Sequence, residues 1–131
     1  EGIITLLGNR KDSVAETAVE LAALIKEVNS PHLRASYNPA EVVRSGGSPF
    51  YGGLYKGELR RSLHHVELQD LVAANGRTTP PGMGNAEIAE IISNLRCRSF
   101  DGYFCLWPLP EEEDGGFREA TRSFRQIMER T

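Results

Sequence analysis

Residues 63–108 constrain the fold more than any other part of the chain, because they have the order strand, helix, strand. An alternating apolar and polar run ends at Asp70, and a loop rich in Gly and Pro follows it. An amphipathic helix comes next, and a second short strand ends at Trp107. Two strands joined through a helix form a right-handed βαβ unit, so this stretch predicts part of a parallel sheet.

The same alternation of strand and helix is predicted over the whole chain. The run at residues 3–7 is continuously apolar, which is typical of a strand buried on both faces of a parallel sheet. Further strands are expected at residues 32–37, 63–69 and 102–107. Four βα units correspond to half of an eight-unit barrel, which takes about 250 residues. We therefore predict one α/β domain, residues 1–131, with the architecture of a half-barrel.

Apolar residues at helical spacing predict the helices between these strands. The first helix is expected to begin at a capping box of Ser13 and Glu16 and to end near residue 28. Further helices are predicted at residues 40–46, at about 53–61, from Asn85 onward, and after the acidic loop 111–114. The predicted buried positions are Val14, Ala18, Leu21, Ile25 and Val28 in the first helix, Ile88, Ile91, Ile92 and Leu95 in the helix after Asn85, and Phe117, Ala120, Phe124, Ile127 and Met128 in the last.

Composition excludes several classes of partner. The net charge is −3 and no basic cluster dominates, so neither nucleic acid nor an anionic membrane is expected. No apolar run approaches the ~20 residues that span a bilayer, and the first residues do not form a signal peptide. Cys97 and Cys105 are expected to be small buried residues in a reducing compartment, which predicts a cytoplasmic protein. Because a strand begins almost at the first residue, we expect the chain to be a piece of a longer protein.

Three motifs stand in a fixed order and resemble a known family. They are His65-Val-Glu67-Leu-Gln69-Asp70, Pro81-Gly-Met-Gly84, and Phe100-Asp-Gly102 leading to Trp107-Pro108. In the sugar phosphate isomerase/epimerase family (AP endonuclease 2 type), similar motifs lie on the last two strands of a xylose isomerase-like TIM barrel. The segment Asn38-Pro-Ala-Glu41 is similar to the Asp-x-x-His that often ends the preceding strand. The resemblance implies that residues 1–131 are the C-terminal half of such a barrel.

The resemblance also implies a divalent metal such as Mn, Mg, Zn or Co, held by Glu, Asp, His and Glu at four strand ends. The corresponding residues here are Gly8 or Asn9, then Asn38, Glu67 and Trp107. Asn and Glu can offer oxygen to a hard cation, but the indole of Trp has a donor and no acceptor. We therefore predict that the metal site is lost and that no cofactor is bound.

Glu67 is the leading candidate for catalysis or ligand binding. It shares one side of its strand with His65 and Gln69, and in a barrel that side is the interior. A carboxylate there is costly unless it is paired or bound to a ligand. The alternative is a structural ion pair with Arg34. The neighbouring His64 is expected to point to the opposite side and to pack under a helix.

The other candidate substrate-binding residues are Asn38, Glu41, His65 and Trp107. The first two follow a strand, at the face where barrel active sites lie, although Asn38 could equally cap a helix with Glu41 exposed. The Trp107 ring could stack on a sugar or fill the core.

Loop residues offer a further set of alternatives. Asp70 is expected to organise the loop after its strand by accepting backbone amides. The Gly82-Met-Gly84 segment could bind phosphate at a helix N-terminus or could simply form a turn. The cations Arg10, Lys11 and Arg44 could contact phosphate, or they could be solvated surface charge.

Two functions remain open at this point. The first is a sugar or sugar phosphate isomerase or epimerase with Glu67 as acid and base, a chemistry that the resemblance implies. The second is a non-catalytic carbohydrate-binding or structural module that has lost the metal. Whether the chain is an enzyme is therefore undecided. A half-barrel exposes strand edges, so a homo-oligomer or a missing N-terminal half-barrel is expected to cover them.

Overall fold

The computed structural model describes residues 2–110 and 116–131. The six strands are β1 (Thr5–Gly8), β2 (Leu33–Tyr37), β3 (Leu63–Leu68), β4 (Asp70–Leu71), β5 (Thr78–Thr79) and β6 (Tyr103–Leu106). The four α-helices are α1 (Ala18–Val28), α2 (Pro39–Arg44), α3 (Ile88–Cys97) and α4 (Arg118–Arg130). A π-helical turn (Phe50–Leu54) and a 3-10 turn (Leu59–Arg61) precede β3. The predicted acidic loop 111–114 lies outside the described residues.

Four strands form one parallel sheet in the order β1-β2-β3-β6. This confirms the predicted α/β class and its parallel half-barrel sheet. Tyr37 pairs with Val66, and Val66 pairs with Phe104, so these three side chains share the face that packs against the helices. Ser36, His65 and Tyr103 are likewise paired and share the opposite face, which is open in the described part of the chain.

The buried stripe of α3 agrees with the prediction. Ile88, Ile91, Ile92 and Leu95 are all buried in the main core. Their spacing covers one face of an amphipathic helix, and the sheet supplies the apolar surface that this face packs against. In α4, Ala120 and Ile127 are buried, whereas Phe117 precedes the helix and is exposed.

The start of α1 was predicted wrongly. The capping box is formed by Thr17 and Glu20, not by Ser13 and Glu16. The Ser13 hydroxyl instead donates to the carbonyl oxygen of Arg10, and so it holds a turn before the helix. Val14 therefore precedes the helix and is 82% exposed.

Three other local predictions are also wrong. Strand β1 is an exposed edge, with Ile3, Ile4 and Leu6 in solvent, because no strand of the described chain lies beyond it. The predicted helix 53–61 is replaced by the two short turns, since several glycines there lower helix propensity. Cys97 is exposed at the end of α3.

The antiparallel pair β4–β5 was not predicted, because each strand has only two residues. None of the helices in the described part of the chain has the length and apolar character that a bilayer-spanning helix requires.

Asp70 organises the loop after β3, as predicted. The carboxylate is buried and accepts hydrogen bonds from four backbone N–H groups, those of Leu71, Gly82, Gly84 and Ala86, at 2.8–3.0 Å. A Cβ at Gly84 would collide with this carboxylate, so the loop requires glycine there. The Gly82 and Gly84 amides that could have bound phosphate are therefore already satisfied by an internal anion.

We expect Asp70→Asn to lower the free energy of unfolding by about 2–4 kcal/mol, because an amide cannot accept all four N–H donors that the carboxylate accepts. The urea midpoint measures this change. Asp101→Asn is the control, since Asp101 is exposed and its replacement should have little effect. An Asp70→Asn protein as stable as the parent would contradict this role.

Candidate functional site

A cavity of about 420 Å³ lies at the C-terminal ends of β1, β2, β3 and β6. It is lined by Asn9, Arg10, Asn38, Glu41, Arg44, Glu67, Gln69 and Trp107. The residues come from all four strand ends because parallel strands all finish at one edge of the sheet. Four of the five predicted site residues line this cavity, namely Asn38, Glu41, Glu67 and Trp107.

Asn38 holds the floor of the cavity together. Its backbone N–H donates to Asn9 Oδ1 (2.7 Å), and Asn9 Nδ2 donates to the Asn38 carbonyl oxygen (2.9 Å). Asn38 Oδ1 accepts from the backbone N–H groups of Ala40 (3.0 Å) and Glu41 (3.4 Å) and so caps α2. Asn38 Nδ2 donates to Gln69 Oε1 (3.2 Å). Asn38 therefore caps α2, which confirms one of its two predicted roles, and it also lines the cavity.

Glu41 and Arg44 form one side of the cavity. Both lie on α2, three residues apart, and their side chains make an ion pair through Arg44 NH1. The other carboxylate oxygen of Glu41 accepts the backbone N–H of Lys11 (2.9 Å). Arg44 NH1 also donates to Gln69 Oε1 (3.3 Å), which links α2 to the end of β3.

Glu67 faces the same cavity from β3. Its carboxylate accepts a hydrogen bond from Ser36 Oγ (3.2 Å). The predicted ion pair with Arg34 is not formed among the described residues, because Arg34 Nε donates to the Ser62 carbonyl oxygen instead (3.2 Å). Within the described residues, the hydrogen-bond partner of the Glu67 carboxylate is thus a neutral hydroxyl.

His65 lies outside the cavity, one pleat before Glu67 on the open face of the sheet. Its ring stacks on those of His64 and Tyr103, with centroids 4.7 and 5.0 Å away. His64 Nδ1 lies 2.7 Å from His65 Nδ1. The prediction that His64 points to the opposite side and packs under a helix is wrong.

A bulge in the sheet explains why the two histidine rings meet. Ala35 and Ser36 are adjacent on β2, but they pair with Leu63 and His65 on β3. His64 is therefore the extra residue, and the alternation of side chains along β3 is broken at this point.

Burial lowers the pKa of His65, and the nearby His64 lowers it further, while Glu67 opposes the shift. On the same face, burial raises the pKa of the Cys105 thiol, and the negative charge of Glu67 raises it further.

Trp107 completes the cavity wall beyond the end of β6. Its backbone N–H donates to the Leu68 carbonyl oxygen (3.4 Å), which fixes its position beside β3. The residue is 39% exposed, so part of its surface is open to solvent. Trp107 is therefore not a fully buried core residue in the described part of the chain.

A family model described as a xylose isomerase-like TIM barrel matches residues 2–127. The chain belongs to this family. No curated protein matches the chain at a significant level.

Several solved structures share the fold of this chain. A probable 3-DHS dehydratase from Bacillus anthracis superposes with a TM-score of 0.72 at 18% identity, covering 93% of this chain and 49% of its own. A D-tagatose 3-epimerase-like protein has a TM-score of 0.71 at 19% identity, with 98% and 46% covered. A xylose isomerase domain protein from Planctomyces limnophilus has a TM-score of 0.73 at 18% identity, with 97% and 45% covered. The chain thus spans about half the length of these relatives.

The cavity residues do not fit the divalent metal that the xylose isomerase-like family implies. Within residues 2–110 and 116–131, no three His, Cys, Asp or Glu side chains are grouped so that they could hold a metal ion. The oxygen of the Asn38 side chain already accepts two backbone amides, and Trp107 offers no acceptor. Gly8, at the end of β1, has no side chain to contribute.

Four members of this site, Asn9, Arg10, Arg44 and Gln69, are not among the predicted site residues. The sequence indicated Asn9 only as a position where a ligand is missing, and Gln69 only as a neighbour of Glu67. It indicated Arg10 and Arg44 as phosphate contacts or surface charges. The i, i+3 spacing of Glu41 and Arg44 after a capping Asn could have indicated their pairing.

We expect the pKa of His65 to lie below the ordinary value of about 6.5. A lowered pKa means that the unfolded chain binds protons more readily than the folded one. Stability from this group is therefore complete above about pH 6.5 and is lost as the pH falls from that value through the lower pKa of the folded state.

Urea midpoints at about pH 7.5 and about pH 5 test this expectation. The loss of stability on acidification should be smaller in His65→Gln than in the parent. His32→Gln, which replaces an exposed histidine, should keep the parent behaviour. An unchanged pH dependence in His65→Gln would show that the stacked ring does not titrate as described.

Proposed function

We propose that this chain is the C-terminal half of a xylose isomerase-like barrel that binds a neutral sugar or polyol without a divalent metal and without catalysis. The observation that carries the proposal is the cavity at the strand ends. It combines side chains that donate hydrogen bonds and side chains that accept them with a partly exposed indole. Its metal-ligating side chains, among the described residues, do not fit a metal ion. Sugars present hydroxyl groups that both donate and accept, so a mixed lining of this kind suits them.

Charge favours a neutral ligand over a phosphorylated one. The cavity lining contains two guanidinium groups and two carboxylates, so it has no excess of positive charge. The Gly-rich loop amides that would suit a phosphate are bound to Asp70. A phosphate group would therefore lose its water without gaining a dedicated set of donors.

Catalysis by the same cavity is the second candidate. Glu41 and Glu67 both line it, and two carboxylates could take and return a proton on neighbouring carbons of a sugar. Glu67, whose carboxylate accepts a hydrogen bond from the Ser36 hydroxyl, would be the acid and base. Exchange of a carbon-bound hydrogen of the sugar for deuterium, abolished by Glu67→Gln, would favour this candidate over binding alone.

The fluorescence of Trp107 tests the binding proposal, because it is the only tryptophan in the chain. Neutral pentoses and hexoses should change its emission in a saturable way, and their phosphates should not. Glu67→Gln should weaken the response by removing an acceptor from the cavity wall. Glu58→Gln is the control, since Glu58 is an exposed residue outside the cavity. A flat response across the panel would remove the proposed ligand class.

We further propose that the open face of the sheet is covered by another half-barrel. The face exposes Leu6 and Tyr103, and the two edge strands β1 and β6 have no neighbour beyond them in the described chain. Unpaired strand edges favour association. For this chain in isolation, the available occupant is a second copy of itself.

Sedimentation velocity over a range of concentrations should therefore show a dimer or larger assembly. Leu6→Glu should shift the population toward monomer, because it places a charge on the open face. Val14→Glu is the matched control, since Val14 is as apolar and more exposed but lies before α1. A well-folded monomer at every concentration would contradict association through this face.

A further inference from the structure

We propose that the guanidinium of Arg44 is the resident cation of this site and replaces the charge that a divalent metal would supply. The inference rests on the proposed metal-free function and deepens it, because it names the group that would act on the ligand in place of the metal. It concerns a residue that has no counterpart in the motifs from which the resemblance was drawn.

The local sequence determines where Arg44 lies. Asn38 caps α2, and Pro39 follows at its first turn, so the helix begins directly at the end of β2. Glu41 and Arg44 then lie one turn apart on the side of α2 that lines the cavity. The helix thus carries both a carboxylate and its counter-cation into the site.

The contacts of Arg44 differ from those of an ordinary surface ion pair. Its side chain is 31% exposed and that of Glu41 is 18% exposed. A third group, Gln69 Oε1, accepts from the same NH1 atom and belongs to another strand end. The Glu41 carboxylate is itself held by the Lys11 backbone N–H. Arg44 is therefore fixed from two sides, as a metal ion would be.

Some N–H groups of the guanidinium make no hydrogen bond within the described residues. Both of its hydrogen bonds within the described residues use NH1. The Nε and NH2 groups are therefore available to donate to a carbonyl or hydroxyl oxygen of a ligand. A positive charge held in this way would stabilise partial negative charge on a ligand oxygen, which is one of the roles of a metal ion.

Loss of Arg44 should have an effect that loss of a merely structural ion pair would not have. Removal of the Arg44 guanidinium leaves two carboxylates, those of Glu41 and Glu67, and the side-chain carbonyl oxygen of Gln69 around a cavity whose remaining guanidinium is Arg10. Oxygen donors of this type suit Mn²⁺ and Mg²⁺. Loss of Arg44 should therefore create an affinity for a divalent cation that the parent protein does not have.

The experiment compares the effect of millimolar Mn²⁺ on the melting temperature of three proteins. The parent should show no change. Arg44→Gln should melt about 5 °C higher with Mn²⁺ than without, which corresponds to an ion present at about ten times its Kd. Arg122→Gln is the matched control, because Arg122 pairs with Glu119 at the same i, i+3 spacing (2.7 Å) on α4, and neither residue lines the cavity.

A second variant shows where the ion binds. Adding Glu41→Gln to Arg44→Gln should abolish the response to Mn²⁺. If Arg44→Gln is unfolded in buffer, circular dichroism replaces the melting curve, and recovery of the fold on adding Mn²⁺ supports the inference. No response to Mn²⁺ in Arg44→Gln, folded or unfolded, would overturn it, and so would an equal response in the parent or in Arg122→Gln.

The outcomes separate this inference from the proposed function. A parent that binds neutral sugars, with an Arg44→Gln variant that ignores Mn²⁺, would overturn only the role of Arg44. A parent that ignores sugars, with a variant that gains a response to Mn²⁺, would overturn only the ligand class.

Discussion

The candidate site depends on the hydrogen bonds of a single buried side chain, that of Asn38. Its amide group caps α2 on one side and donates to Gln69 on the other, while its backbone exchanges two hydrogen bonds with Asn9. These contacts join the ends of β1, β2 and β3. They also set where α2 begins, and hence where Glu41 and Arg44 lie. An unpaired amide at this depth would be costly, so the network specifies one arrangement of the strand ends.

The described half-barrel keeps the scaffold of the family, and we propose that it does so without the metal of the family. In this half of the scaffold, Asp70 holds its loop through four backbone amides and the sheet is parallel. The residues at the strand ends are those of a hydrogen-bonded polar cavity. A guanidinium paired with a carboxylate balances charge there with protein groups alone. Such a site suits an uncharged, oxygen-rich ligand, which we propose as its occupant.

Sequence reasoning succeeded where one physical rule acted without competition. The buried face of α3 follows from apolar spacing, and the loop role of Asp70 follows from a carboxylate placed before a Gly-rich turn. It failed where two local solutions were equally consistent with the sequence. Ser13 and Thr17 both satisfy the capping-box pattern, and only packing decides that the helix begins after Thr17. The contact of His64 with His65 depends on a bulge. A bulge is a property of strand pairing, so it cannot be predicted from the apolar and polar alternation in the sequence of one strand.

The central claim is that this barrel half retains the family fold while protein cations take over the role of the metal. Elemental analysis of the purified protein, prepared without chelators, tests the claim most directly. We expect divalent metal far below one ion per chain, with no change in Glu67→Gln. A stoichiometric divalent metal that is lost in Glu67→Gln would contradict it.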